Sequence, residues 1–97
     1  MQSIRVVVHG ALGKMGREVL STVCHEAGLI PVGAADGIAQ LGAYTLPDGS
    51  GTIPLSNSLE DVIGDAQVAV DFSSAEGAMG VIRTASAHKV NVVIGST

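Results

Sequence analysis

With 97 residues, 46% of them hydrophobic and 14% charged, the chain can build one domain around a single core and is too apolar to be disordered. A net charge of −4 without a basic stripe argues against a nucleic-acid partner, and no apolar run approaches membrane-spanning length. The single cysteine, Cys24, has no partner for an internal disulfide, and no signal-peptide pattern is visible, so the expected setting is a reducing cytoplasm.

Ile4 to His9 is a short apolar run rich in β-branched residues, the pattern of a buried parallel strand. It breaks into Gly10-Ala11-Leu12-Gly13-Lys14-Met15-Gly16, a G-x-x-G-x-x-G spacing, and then resumes with helical periodicity. Gly10 would let the chain turn sharply off the strand. Gly13 would leave room for a pyrophosphate at the first turn of the helix, and Gly16 would let that helix lie close on the sheet. A helix N-terminus offers free N–H groups and a positive dipole end to a phosphate. The helix should run from Lys14 to about Ala27, with Met15, Val19, Leu20, Val23, Cys24 and Ala27 on one broad face. His25 and Gly28 close it. Leu29 to Ala35 reads as a second strand, with Pro31 near its beginning, and Asp36-Gly37 ends it.

The pattern weakens from residue 38 to 51, where Pro47-Asp48-Gly49 signals a turn. Thr52 to Leu55 reads as a short third strand, and Ser58 as the cap of a brief helix ending at Gly64. Gln67 to Phe72 is a clear buried strand. Ser73-Ser74-Ala75-Glu76 has the S-x-x-E form of a capping box, which starts a helix reaching about His88. Val90 to Ile94 is the last strand. This βαβ alternation predicts an α/β fold of the Rossmann type, a doubly wound, mostly parallel sheet with helices on both faces. Counting the strands in chain order, 3-2-1-4-5 would put a topological switch point between the first strand and the one ending at Phe72. The loops Gly10–Gly16, Phe72-Ser73 and Gly95-Ser96-Thr97 would then converge, with Asp36 nearby.

Asp36 lies at the end of the second strand, twenty residues beyond Gly16, where an acid can accept both hydroxyls of an adenine ribose. The alternative is an Asx turn with Gly37. A 2′-phosphate would be repelled by this carboxylate, whereas Lys14 could still reach one. NADH is therefore the favoured cofactor, with NADPH left open. A P-loop is excluded, because Met15 follows Gly13-Lys14 where Ser or Thr is required. His9 ends a buried strand and reads as a satisfied structural residue, while His25 and His88 sit near helix ends. Cys24-His25 has no further ligands around it in sequence, so no metal site is expected. No nucleophile–base–orienter set is visible, and no catalytic residue is assigned.

Gly10-Ala11-Leu12-Gly13-Lys14-Met15-Gly16-Arg17 resembles the opening of the 4-hydroxy-tetrahydrodipicolinate reductase (dihydrodipicolinate reductase) family of bacterial lysine (diaminopimelate) biosynthesis. Val70-Asp71-Phe72-Ser73 is similar to that family's V-D-F-T segment, and Val93-Ile94-Gly95-Ser96-Thr97 to its V-I-G-T-T-G segment. The resemblance implies that Gly10 to Met15 cradle the pyrophosphate, that Asp36 holds the ribose, and that Phe72 and Gly95 to Thr97 approach the nicotinamide. Ser74-Ala75 replaces the usual x-Pro, Ser96 keeps the hydroxyl of Thr, and Gly37 stands where some relatives carry Arg, which argues against a preference for NADPH. The family's dicarboxylate-binding domain, with its His-His pair and Lys, would lie beyond Thr97. Residues 1–97 are thus expected to be the dinucleotide-binding domain, without catalysis of its own. Two other readings stand beside this one. An extended short-chain dehydrogenase or epimerase needs a Tyr with Lys four residues later, yet Tyr44 is followed by Asp48. The other is a non-catalytic NAD(H)-sensing domain. The apolar strand Val90–Ile94, with no following helix to cover it, is further expected to drive self-association.

Overall fold

The structure, a computed structural model, describes residues 3–73 and 75–95. In chain order the elements are β1 (Ile4–His9), α1 (Lys14–His25), β2 (Leu29–Ala35), β3 (Gly42–Thr45), β4 (Thr52–Ser56), α2 (Leu59–Ile63), β5 (Val68–Asp71), α3 (Ala75–Ala87) and β6 (Asn91–Ile94). They form one sheet in the order β3-β4-β2-β1-β5-β6. All neighbours pair in parallel except β3 and β4, which are antiparallel. The five parallel strands keep the expected Rossmann-type order, and the switch point lies between β1 and β5.

β3 is the strand that the sequence reading missed. Gly42-Ala43-Tyr44-Thr45 has neither the β-branched content nor the alternation of a strand, and it forms because β4 offers it a partner. The predicted turn joins the two. Leu46 and Gly51 close the hairpin, and the Asp48 carboxylate accepts from the Ser50 amide at 3.0 Å and its hydroxyl at 2.6 Å.

Apolar residues alternate between the two faces of β1. Val6 and Val8 pack with Leu20 and Val23 of α1 and with Leu46 and Ile53 of the hairpin. Val7 packs on the opposite face with Leu59, Val62 and Ile63 of α2 and with Val81 and Ala85 of α3. Both faces of the central strand are therefore covered, as a parallel sheet requires. A register shift in β2, where Val6 faces Pro31 and Val7 faces Gly33, leaves Val32 as an extra residue. Gly33 lets α2 press onto the sheet, since a Cβ there would come within 2.5 Å of the Val62 carbonyl oxygen.

Two local expectations are corrected. Met15 is 51% exposed and Ala27 is also exposed, because the buried stripe of α1 is Gly16, Leu20 and Val23, flanked by Val19 and Cys24. Ser58 precedes α2 but makes no side-chain cap bond; the Ser56 hydroxyl instead receives the Ser58 amide and donates to Asp61. Because α3 begins at Ala75, its cap position falls on residue 74, and the predicted capping box lies outside the described residues. Among the described residues no helix is long and apolar enough to cross a membrane.

Candidate functional site

The glycine loop leaves β1 at Gly10, whose backbone is left-handed, with φ +83°. Its absent side chain also matters, because a Cβ would come within 2.9 Å of the Phe72 carbonyl carbon. The amides of Gly10 and Ala11 both donate to the Ala35 carbonyl, at 2.7 and 3.0 Å, and so fasten the loop to the end of β2. At Gly16 a Cβ would collide with the Gly10 carbonyl oxygen and lie 2.8 Å from the Ala11 Cα. This glycine therefore serves a close approach of the helix to the turn, where the sequence suggested the sheet. Gly13 differs from both. It is exposed, and a Cβ there would touch only the Gly10 oxygen, at 3.5 Å, so its small size leaves open space outside the loop.

Helix α1 starts from this loop without a side-chain cap. Arg17 is the first amide bonded back, to Gly13, and the amides of Lys14, Met15 and Gly16 have no acceptor among the described residues. Such N–H groups at a helix start suit an anion. The Lys14 and Met15 side chains are exposed at the same turn, and the Arg17 guanidinium is held by the Leu12 carbonyl at 3.0 Å.

Asp36 sits beside the loop and performs two local tasks. One carboxylate oxygen accepts from the Ile38 amide at 3.2 Å, which is the Asx turn. The other accepts from the Leu12 amide at 3.0 Å, tying the end of β2 to the middle of the glycine loop. Across the switch point, the Phe72 amide donates to the His9 carbonyl at 2.9 Å, and the Gly95 amide to the Asp71 carbonyl at 2.8 Å. The Phe72 ring rests on Gly95, where a Cβ would lie 2.7 Å from its Cδ1. Gly10 to Gly16, Asp36, Phe72 and Gly95 thus meet at the carboxyl ends of the parallel strands. Ser96 and Thr97 lie outside the described residues.

His9 is bonded, as a satisfied residue should be, to a group that the sequence reading did not single out. Asp71 is fully buried and pairs with the His9 ring at 3.0 Å. The signal was a polar residue at the last position of two adjacent apolar runs, which the register makes direct neighbours. Elsewhere, burial pushes the Cys24 thiol up, with Asp48 adding to the effect, so Cys24 is not poised as a nucleophile. At the opposite end of the sheet, Ser3, Arg5, Ile30 and Gln67 line a polar depression. Its one cation, Arg5, is already engaged by Asp65 at 3.4 Å.

Residues 4–97 match the family model described as dihydrodipicolinate reductase, N-terminus. The 4-hydroxy-tetrahydrodipicolinate reductase of Dehalococcoides mccartyi (strain ATCC BAA-2266) is 56% identical over 99 residues, an alignment covering all of this chain and 38% of that protein. A dipicolinate-bound dihydrodipicolinate reductase from Paenisporosarcina sp. TG-14 superposes with a TM-score of 0.79 at 25% identity, over 99% of this chain and 38% of that one. Aspartate semialdehyde dehydrogenase II from Vibrio cholerae also gives a TM-score of 0.79, over 99% of this chain and 31% of that one; at 17% identity it shares the fold. The chain thus spans well under half the length of the relatives it matches. The match across nearly the whole chain decides its family: it belongs to the dihydrodipicolinate reductases, whose N-terminal portion it matches.

Proposed function

We propose that this chain binds the nicotinamide dinucleotide of a 4-hydroxy-tetrahydrodipicolinate reductase of lysine (diaminopimelate) biosynthesis. The observation that carries the reading is the glycine loop seated at the switch point, with three helix-start amides that have no acceptor among the described residues, beside the open space at Gly13. Those amides suit the pyrophosphate, with Gly10, Ala11 and Leu12 shaping the loop that presents them and Lys14 and Met15 flanking it. Asp36 stands where it can accept from the adenine ribose while it holds Leu12. Phe72 and Gly95, with Ser96 and Thr97 after them, are assigned to the nicotinamide end. The bound nicotinamide would supply the hydride, and the residues of this chain bind and orient it.

NADH is favoured over NADPH, because a 2′-phosphate would meet the Asp36 carboxylate and Gly37 offers it no charge. Reduction of the dicarboxylate belongs to the whole enzyme, since no proton donor and dicarboxylate clamp are assigned among these residues. Calorimetric titration of the 97-residue chain should show NADH binding. Absorbance at the NADH band, followed with 4-hydroxy-tetrahydrodipicolinate present, should stay constant. Steady NADH oxidation by the pure chain would overturn the division of labour, and failure to bind would overturn the reading itself. The chain is further proposed to self-associate through the edge strand β6, where Val93 and Ile94 are 55% and 41% exposed.

A further inference from the structure

The phosphate loop and Asp36 lie on one side of Gly10, and a second polar cluster lies on the other. Its centre is Asp71, at the end of β5. One oxygen, Oδ1, accepts from the Ser73 amide at 2.9 Å, from the Ser73 hydroxyl at 2.6 Å and from His9 Nδ1 at 3.0 Å. Since Oδ1 is the acceptor, Nδ1 is the ring nitrogen that carries the proton in this bond. The other oxygen, Oδ2, is buried without a hydrogen-bond partner among the described residues. A buried acceptor left unpaired is destabilising, so stability is a poor account of an aspartate at this strand end.

What the cluster does control is the course of the chain after β5. The two Ser73 bonds bend the backbone back over Asp71, in the manner of an Asx turn. The His9 bond anchors that carboxylate to the neighbouring strand, whose next residue, Gly10, begins the glycine loop. Phe72 is carried between them, with its ring on Gly95. His9 keeps 15% of its side-chain surface exposed, whereas the Asp71 side chain keeps none, so the pair runs from the surface inward.

We propose that His9 is a positioning residue: acting through Asp71, it fixes the Phe72–Ser73 turn and thereby the place of the nicotinamide half of the cofactor. The proposal deepens the dinucleotide reading above and rests on it. The two halves of the ligand are then handled by separate devices, Asp36 for the adenosine side and His9–Asp71 for the nicotinamide side. ADP-ribose, which lacks the nicotinamide ring, separates them.

The experiment is calorimetric titration of the 97-residue chain with NADH and with ADP-ribose, for the wild type, His9→Leu and His9→Asn, with thermal melts of each. His9→Leu removes the donor to Asp71 and should weaken NADH about tenfold or more, the usual worth of a hydrogen bond to a charged group, while ADP-ribose changes less than about twofold. His9→Asn can place a side-chain amide near the position of Nδ1 and should restore most of the NADH affinity. If His9→Leu does not fold, Ser73→Ala removes another donor to Oδ1 and should show the same selective loss. Equal losses for the two ligands, or no loss for either, would overturn the proposal. So would His9→Asn binding as poorly as His9→Leu, which would point to a direct contact through the other ring nitrogen. A wild-type chain that binds neither ligand overturns the dinucleotide reading and this inference with it. One that binds ADP-ribose and NADH equally well overturns this inference alone.

Discussion

Replacing Asp36 by alanine removes the clasp on the glycine loop and, on the proposed reading, an acceptor for the adenine ribose. The clasp is the 3.0 Å bond from the Leu12 amide, supported by the exposed 3.2 Å bond from Ile38. A hydrogen bond to a charged group is worth about 1.5–3 kcal/mol, and solvent exposure puts the Ile38 bond below that range. Loss of the clasp should therefore lower stability by about 1.5–3 kcal/mol, or roughly 6–24 °C in Tm for a domain of this size. For NADH, loss of the ribose acceptor should cost a further ~1.5–3 kcal/mol, about a 10- to 150-fold rise in Kd. NADPH loses the same clasp but is relieved of repulsion between the carboxylate and its 2′-phosphate, so its Kd should rise less. Asp36→Asn separates the contributions, because its carbonyl can still accept from Leu12 while the charge is gone. Titration of both cofactors against wild type, alanine and asparagine forms reads all three effects. Equal loss of NADH and NADPH affinity in Asp36→Ala would mean that Asp36 only shapes the loop, and the ribose assignment would fall.

Gly16→Ala drives a methyl into the Gly10 carbonyl and should destabilise the fold by about 1–3 kcal/mol, seen as a lower Tm, whereas Gly13→Ala meets only an ordinary contact and should melt near wild type while losing NADH affinity. A Gly13→Ala variant that binds NADH normally would contradict the cradle. The Asp48 carboxyl is held below its ordinary value of 3.8, first by the Ser50 hydroxyl and then by the Ser50 amide. A depressed acid contributes stability that is present above its unfolded value and is lost as pH falls through the folded one, so an NMR titration should find Asp48 ionised below pH 3.8 and Ser50→Ala should raise its midpoint. Sedimentation over a concentration series should show association that a Val93→Lys substitution on the edge strand reduces; a strict monomer at all concentrations would remove β6 as an interface.

The parts of the fold that were legible in the sequence are those where local chemistry and tertiary role agree. β1, Gly10, Gly16 and α1 were readable because a turn demands the first glycine and a close approach the second. β2 and its terminal Asp36 followed from the same pattern. The hairpin strand β3 was not legible, since Gly42 and Ala43 carry no strand preference and only pairing with β4 extends them. The Val32 bulge and the seating of α2 on Gly33 depend on contacts between residues far apart in the chain. Met15 was misread because an apolar residue on the first turn of α1 faces the open side of the loop. At the site, the position of Asp36 suggests a ribose acceptor or an Asx turn, whereas its bond to Leu12 depends on the fold of the glycine loop. The His9–Asp71 pair needed the register of β1 against β5, which neither strand reveals alone.

The central claim is that one dinucleotide lies across the carboxyl ends of β2, β1 and β5. It is tested most directly by following the backbone amide resonances of the 97-residue chain as NADH is added. The largest shifts are expected at Leu12 to Gly16, at Asp36 to Ile38, at Phe72 and Ser73, and at Gly95, with little change at Arg5, Ile30 and Gln67 at the far end of the sheet. Shifts confined to that far end, or none with NADH in large excess, would contradict it.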